Sequence, residues 1–147
     1  MEISDQKGIY FKGKDELFID SRGIRNKEAI ITHSHSDHAK PTLTNTYYLT
    51  PETASLIQAD GKKYKTKKIP FKKKFSLGEF ECKFHSSGHI LGSAQVEINN
   101  SIQAVLTSDF KLQKNILFEG AEILPSEVLI IETTFGTPEY DFPQRDV

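Results

Sequence analysis

Three of the five histidines and one aspartate fall within six residues, His33-Ser34-His35-Ser36-Asp37-His38. Neutral imidazoles and carboxylates are good ligands for zinc-like ions. In extended backbone, side chains alternate between faces, so His33 and His35 point the same way. The adjacent Asp37 and His38 can turn towards a second ion nearby. A fourth histidine, His89, sits in Ser86-Ser87-Gly88-His89-Ile90-Leu91-Gly92-Ser93. Glycines on both sides of it give the loop the backbone freedom to place that side chain. Three carboxylates complete the candidate set, Asp20, Asp109 and Glu132, each just beyond a short apolar run. The chemistry open to such a set is metal-assisted hydrolysis.

The elements that must position these residues read mostly as strands. Ala29-Ile30-Ile31 is apolar and branched and leads directly into the histidine cluster. Residues 8–20 read as a hairpin, with strands at Gly8–Phe11 and Glu16–Ile19 and turn residues Lys12–Asp15 between them. Tyr47-Tyr48-Leu49 is a further strand. Thr50 then suits a helix cap, with Pro51 at the first helical position, and Asp60-Gly61 ends the helix. Phe75–Phe84 reads as a hairpin turning at Gly78-Glu79. Gln95–Ile98 and Ile102–Leu106 form another around Asn99-Asn100. Val128–Ile131 is the last buried strand. Strands therefore end in Asp20, His33, Asp109 and Glu132, and layered α/β proteins often build sites at such a rim. Phe142-Pro143-Gln144 announces a further helix.

With 147 residues, 19 basic and 20 acidic, the chain is one domain's worth with nearly balanced charge. Its single cysteine, Cys82, excludes a disulfide framework and a Cys-based zinc site and suits a reducing, cytoplasmic interior. Cys82 reads as core, and His85 as structural. The start lacks a basic region followed by an apolar run, so it reads as carrying no signal peptide. No stretch approaches the length of a membrane span. The lysine-rich run 62–74 reads as a solvated edge strand, where lysines deter edge-to-edge pairing. The alternative is a contact surface for phosphate backbones.

The motif set resembles the metallo-β-lactamase superfamily. Within it, the match is to β-CASP nucleases of the mRNA 3′-end-processing-like or ligase-associated exonuclease type. Asp20 falls on the first motif, whose aspartate orients the metal-binding loop. His33, His35, Asp37 and His38 fall on the second, His89 on the third and Asp109 on the fourth. Glu132, in Ile-Glu-Thr-Thr-Phe-Gly, looks like the acidic residue of the first β-CASP-specific motif. The resemblance implies two zinc ions. His33, His35 and His89 hold one, Asp37 and His38 the other, and Asp109 bridges them. It implies hydrolysis of RNA or DNA phosphodiesters by a metal-activated water, with Asp37, Asp109, Glu132 and Asp20 in catalytic roles.

The fold so implied is α/β: residues 1–147 form the N-terminal half of an αββα metallo-β-lactamase sandwich. The second half, its further histidine and the β-CASP cap lie beyond this sequence. The expectation is a subunit or fragment completed by a second polypeptide, with further oligomerisation open and no membrane partner. A thioesterase or lactonase of the same fold, and a non-catalytic scaffold, are the alternative functions.

Overall fold

A computed structural model of the chain describes residues 2–5 and 7–141. Two mixed sheets face one another. The first is built from β1 (Glu2–Ser4), β2 (Ile9–Lys12), β3 (Glu16–Ile19), β4 (Glu28–Ile30), β5 (Thr46–Leu49) and β6 (Lys65–Lys68), adjacent in that order. Its first three strands pair antiparallel, and β3 through β6 pair parallel. The second sheet contains β7 (Lys74–Leu77), β8 (Phe80–Ser86), β9 (Ala94–Asn99), β10 (Gln103–Leu106) and β11 (Val128–Ile130), in the spatial order β11-β10-β9-β8-β7. Only β10 and β11 pair parallel there.

Strand alternation decides what each face buries. Leu17, Ile19, Ile30 and Tyr48 of the first sheet meet Phe80, Cys82, Phe84, Val96, Ile98 and Leu106 of the second in one core. The intervening positions Ala29, Ile31, Tyr47 and Leu49 face the opposite way. They pack with Ala54 of α1 (Pro51–Ile57), which covers the outer face of the first sheet. Thr50 caps that helix by accepting from the Thr53 N–H, and Pro51 occupies its first turn, so both sequence signals act as read.

The expected hairpins are present, with β2–β3, β7–β8 and β9–β10 each pairing antiparallel. Three features depart from the reading. The last strand, β11, expected to be buried, has Leu129 and the following Ile131 about half exposed, because it is the outer strand of its sheet. β1 pairs with β2 although no strand was expected there. The helix content expected of an α/β layer is small: α1 is the only helix among the described residues. The crossover from β10 to β11 is irregular. In it, Asn115 Oδ1 accepts the N–H groups of Leu117 and Phe118 in a tight turn, which competes with helix formation. The helix expected at Pro143 lies outside the described residues. Among the described residues, no helix is long and apolar enough to cross a membrane.

The rim is formed as the strand endings required. Parallel β3 and β4 deliver Asp20 and the histidine loop to one end of the first sheet. Parallel β10 and β11 deliver Asp109 and Glu132 to the same end of the second. Asp20, Arg22, Asp37, His38, Asp109 and Glu132 all line one cavity of about 600 Å³.

Candidate metal centre

His33 is fully buried, and its two nitrogens have different fates. The Thr32 hydroxyl has one proton, which it donates to Asp20 Oδ2 at 2.6 Å. Its oxygen therefore accepts from His33 Nδ1, 3.1 Å away. Ser108 Oγ lies 2.7 Å from the same hydroxyl and completes the pocket. With the proton on Nδ1, the lone pair of Nε2 points into the site. That Nε2 is buried and has no hydrogen-bond partner among the described residues. Burial, aided by the neighbouring His38, lowers the His33 pKa to about 4, so the ring is neutral at physiological pH.

Three further groups surround this orphaned nitrogen. His33, His35, His89 and Asp109 each offer one ligand atom, and these atoms all lie within 4.8 Å of one another. His89 Nε2 is 3.1 Å from His35 Nδ1. Asp109 Oδ2 is 3.5 Å from His89 Nε2 and 3.7 Å from His33 Nε2. Burial also lowers the His89 pKa, against the pull of Asp109. Three imidazole nitrogens and a carboxylate around one point fit a zinc-like ion. A buried acceptor with nothing to accept from would otherwise go uncompensated.

His38 stands on the other side of Asp109. Its Nδ1 donates to Asp20 Oδ2 at 2.8 Å, which turns Nε2 towards Asp109 Oδ1 at 3.4 Å and Asp37 Oδ2 at 3.7 Å. Burial opposes a charge on His38, but the hydrogen bond to Asp20 and the carboxylates of Asp20, Asp109 and Asp37 outweigh it and raise the pKa. The negative field that favours a proton on that nitrogen would favour a metal cation there equally.

The loop that carries His89 is pinned at both ends. Ser93 Oγ accepts the N–H groups of His89 and Ile90 at 3.2 and 3.0 Å. The Gly92 carbonyl accepts the hydroxyls of Thr50 and Thr53 at the start of α1. Gly88 has φ +69°, and a Cβ there would come within 2.2 Å of the Lys111 carbonyl oxygen. Lys111 follows Asp109 by two residues, so one close contact locks two ligand-bearing segments together.

The structure thus gathers His33, His35 and His89 about one point and sets Asp37 and His38 beside Asp109. Glu132 lines the cavity, and its Oε2 accepts the Thr134 N–H at 3.1 Å. Asp20 acts through Thr32 and His38. Its carboxylate also accepts the Thr32 N–H at 2.8 Å. Sequence reading missed Thr32 and Ser108, which set the His33 tautomer, and Ser93, which shapes the His89 loop. It also missed Arg22, whose guanidinium donates to the Asp37 carbonyl, and Lys7, which lines the cavity. The one available signal for Thr32 and Ser108 was a hydroxyl residue next to a candidate ligand, which is too common to single out. His85 is structural, held through Nε2 by Glu97 at 2.7 Å on the outer face of the second sheet.

No family model matches the chain. A "Probable DNA ligase" of Opitutus terrae is 36% identical over 80% of this chain and 12% of its own length. A transcription termination factor of a Lokiarchaeum species is 38% identical over 46% of this chain and 11% of its own. An endoribonuclease of Candida glabrata is 36% identical over 40% of this chain and 8% of its own. The chain thus spans about a tenth of the length of these relatives. The metallo-β-lactamase-fold protein YhfI of Bacillus subtilis superposes with a TM-score of 0.52 at 19% identity, over 69% of this chain and 53% of that one. The termination factor and the endoribonuclease are β-CASP proteins. Fold and relatives together support a metallo-β-lactamase-fold, β-CASP nuclease-like fragment.

Proposed function

We propose that the chain supplies the metal-binding core of a hydrolase that cleaves RNA or DNA phosphodiester bonds. The observation that carries this reading is the placement of Asp109. One of its oxygens faces His33 and His89, and the other faces His38. A carboxylate shared between two imidazole positions is the arrangement a two-ion site needs. His33, His35, His89 and Asp109 would hold one zinc ion, and His38, Asp37 and Asp109 would face the other. Ions bound there supply Lewis acidity and bring the pKa of a coordinated water towards neutrality.

The chain's own residues do the rest. Asp20 fixes His38 directly and His33 through Thr32. Asp37 is exposed, is held below the usual carboxylate range chiefly by a backbone N–H, and can take up a proton from the attacking water. Arg22 and Lys7 line the same cavity and offer positive charge to a phosphate. Glu132, which lines the same cavity, acts near the leaving oxygen through a histidine from outside this chain.

That histidine, and a further ligand for the second ion, belong to a complementing polypeptide or segment of the αββα sandwich. Support comes from β11, an edge strand whose central Leu129, like Ile131 just beyond it, is about half exposed. Labelled RNA, labelled DNA and a thioester, each offered with zinc to the chain alone and to the chain co-expressed with a polypeptide carrying the missing histidines, test the reading. Cleavage of a nucleic acid by the completed assembly, lost in His35→Ala, is expected. Thioester turnover without nucleic-acid cleavage overturns it in favour of a small-molecule hydrolase. Full turnover by the 147-residue chain alone removes the need for a complement.

A further inference from the structure

We infer that the lysine-rich side of the sandwich, formed by β6, β7 and the segment joining them, is a track on which a nucleic-acid backbone lies beside the metal centre. The destination of that track rests on the phosphodiester reading above; the binding itself does not.

Residues 62–74 contain eight lysines and no carboxylate, while the other 134 residues hold all 20 acidic residues and 11 of the 19 basic ones. A chain with a net charge of only −1 therefore carries a concentrated positive segment against an acidic remainder. The fold keeps that segment in one place. β6 is the outer strand of the first sheet and β7 the outer strand of the second. Only residues 69–73 separate them, so both open edges lie on one side of the molecule.

Four of the lysines are neutralised locally. Lys62 pairs with Asp60, Lys67 with Glu28, Lys72 with Glu122 and Lys74 with Glu81. The other four, Lys63, Lys65, Lys68 and Lys73, are exposed and have no carboxylate partner among the described residues. Guarding an open edge against strand pairing would explain Lys65 and Lys68. It does not explain Lys63 and Lys73, which lie outside the strands. Lysine offers a point charge without the planar fork of arginine, so these groups suit phosphates and not base edges.

The track abuts the site at both feet of the His89 loop. The Ile69 N–H donates to the Leu49 carbonyl at 2.8 Å, next to Thr50, which holds Gly92. The Lys72 N–H donates to the Phe84 carbonyl at 2.8 Å, on the strand that runs into Ser87 and Gly88. A backbone bound along the lysines is thus led towards the imidazole cluster.

Fluorescence anisotropy of the purified chain with a labelled single-stranded RNA, and with DNA of the same sequence, tests this across a salt series. Four phosphate contacts on a single strand predict an affinity that falls about 50-fold between about 50 and 200 mM salt. In the variant Lys63→Gln/Lys65→Gln/Lys68→Gln/Lys73→Gln, most of that salt dependence and at least about tenfold of the low-salt affinity disappear. Lys12→Gln/Lys14→Gln, in the β2–β3 turn and outside the 62–74 segment, binds as the parent does. Circular dichroism and elution volume establish that each variant is folded and monodisperse. Unchanged affinity and slope in the quadruple variant overturn the inference. So does self-association of that variant with unchanged binding, which would leave the lysines as edge guards only. Equal affinity for a polyglutamate of matched charge overturns it in favour of an acidic protein partner. If the quadruple variant binds weakly but no completed assembly ever cleaves, the track stands and the phosphodiester reading falls. If cleavage is undiminished in the quadruple variant, the track falls and that reading stands.

Discussion

Asp20 Oδ2 lies 2.8 Å from His38 Nδ1, and the same oxygen accepts the Thr32 hydroxyl whose own oxygen holds His33. One carboxylate therefore orients imidazoles on both sides of Asp109 without facing either ligand position. Asp20 receives three donors in all, two from Thr32 and one from His38. An asparagine could accept fewer and would turn its NH2 group against at least one of them. Asp20→Asn is expected to weaken metal binding about 10- to 100-fold, with the circular dichroism spectrum retained. Competition against a chromophoric chelator measures it. Undiminished affinity would show that the rings hold their orientation without Asp20.

Cobalt(II) offered to the metal-free chain should give the visible absorption of a tetrahedral N/O site. His33→Ala or His89→Ala should abolish it, whereas His85→Ala should not, because His85 is on the far face of the second sheet. Ligand binding to the folded state alone also stabilises it. Metal at about 100 times its dissociation constant adds about 2.7 kcal/mol, readable as a shift in the urea midpoint that a chelator reverses.

Acid should remove part of the stability through Glu97. Burial pushes the Glu97 carboxyl up, but Lys83, Asn99 and His85 pull it further down, to about 2 from the ordinary 4.5. A folded pKa below the unfolded one means stability that is fully present above about pH 4.5 and lost as pH falls towards 2. The contribution is of order 2–3 kcal/mol. Urea unfolding of the parent and of Glu97→Gln between these pH values measures it. The parent should lose more stability across the window than the variant.

Gly88→Ala combines a left-handed backbone with a Cβ placed 2.2 Å from the Lys111 carbonyl oxygen. It should destabilise the fold by about 2 kcal/mol or more and weaken metal binding by displacing His89. Gly61 also has positive φ but open space around its missing Cβ, so Gly61→Ala should cost about 1 kcal/mol and leave metal affinity intact. Equal effects at the two positions would mean that the contact with Lys111 is not tight.

The legible parts of the fold were those written locally. Thr50-Pro51 marked α1, Gly78-Glu79 marked a hairpin, and the carboxylates past the apolar runs marked the rim. β1 was not legible because three residues, Glu2–Ser4, carry too little periodicity. The tautomer of His33 was not legible because it depends on Asp20, Thr32 and Ser108, which lie up to 88 positions apart in sequence and meet only when β3, β4 and β10 are assembled. The expected helical layer is thin because the crossover to β11 contains Asn115, Gly120 and Pro125, each a poor helix residue. For the lysines, sequence gave the charge but not its address, since only sheet order puts β6 and β7 on one side.

Asp20 and Ser108 share a further property: both have φ near +50°, at 50° and 52°. For residues with a side chain this conformation costs about 1–2 kcal/mol. Each sits just beyond a strand and turns its side chain back to Thr32. Selection in the laboratory for heat resistance alone should therefore find glycine at 108 early, since it relieves the twist and forfeits only a hydroxyl. The survivors would resist heat better and hold metal less tightly, having traded a poised imidazole for a relaxed backbone.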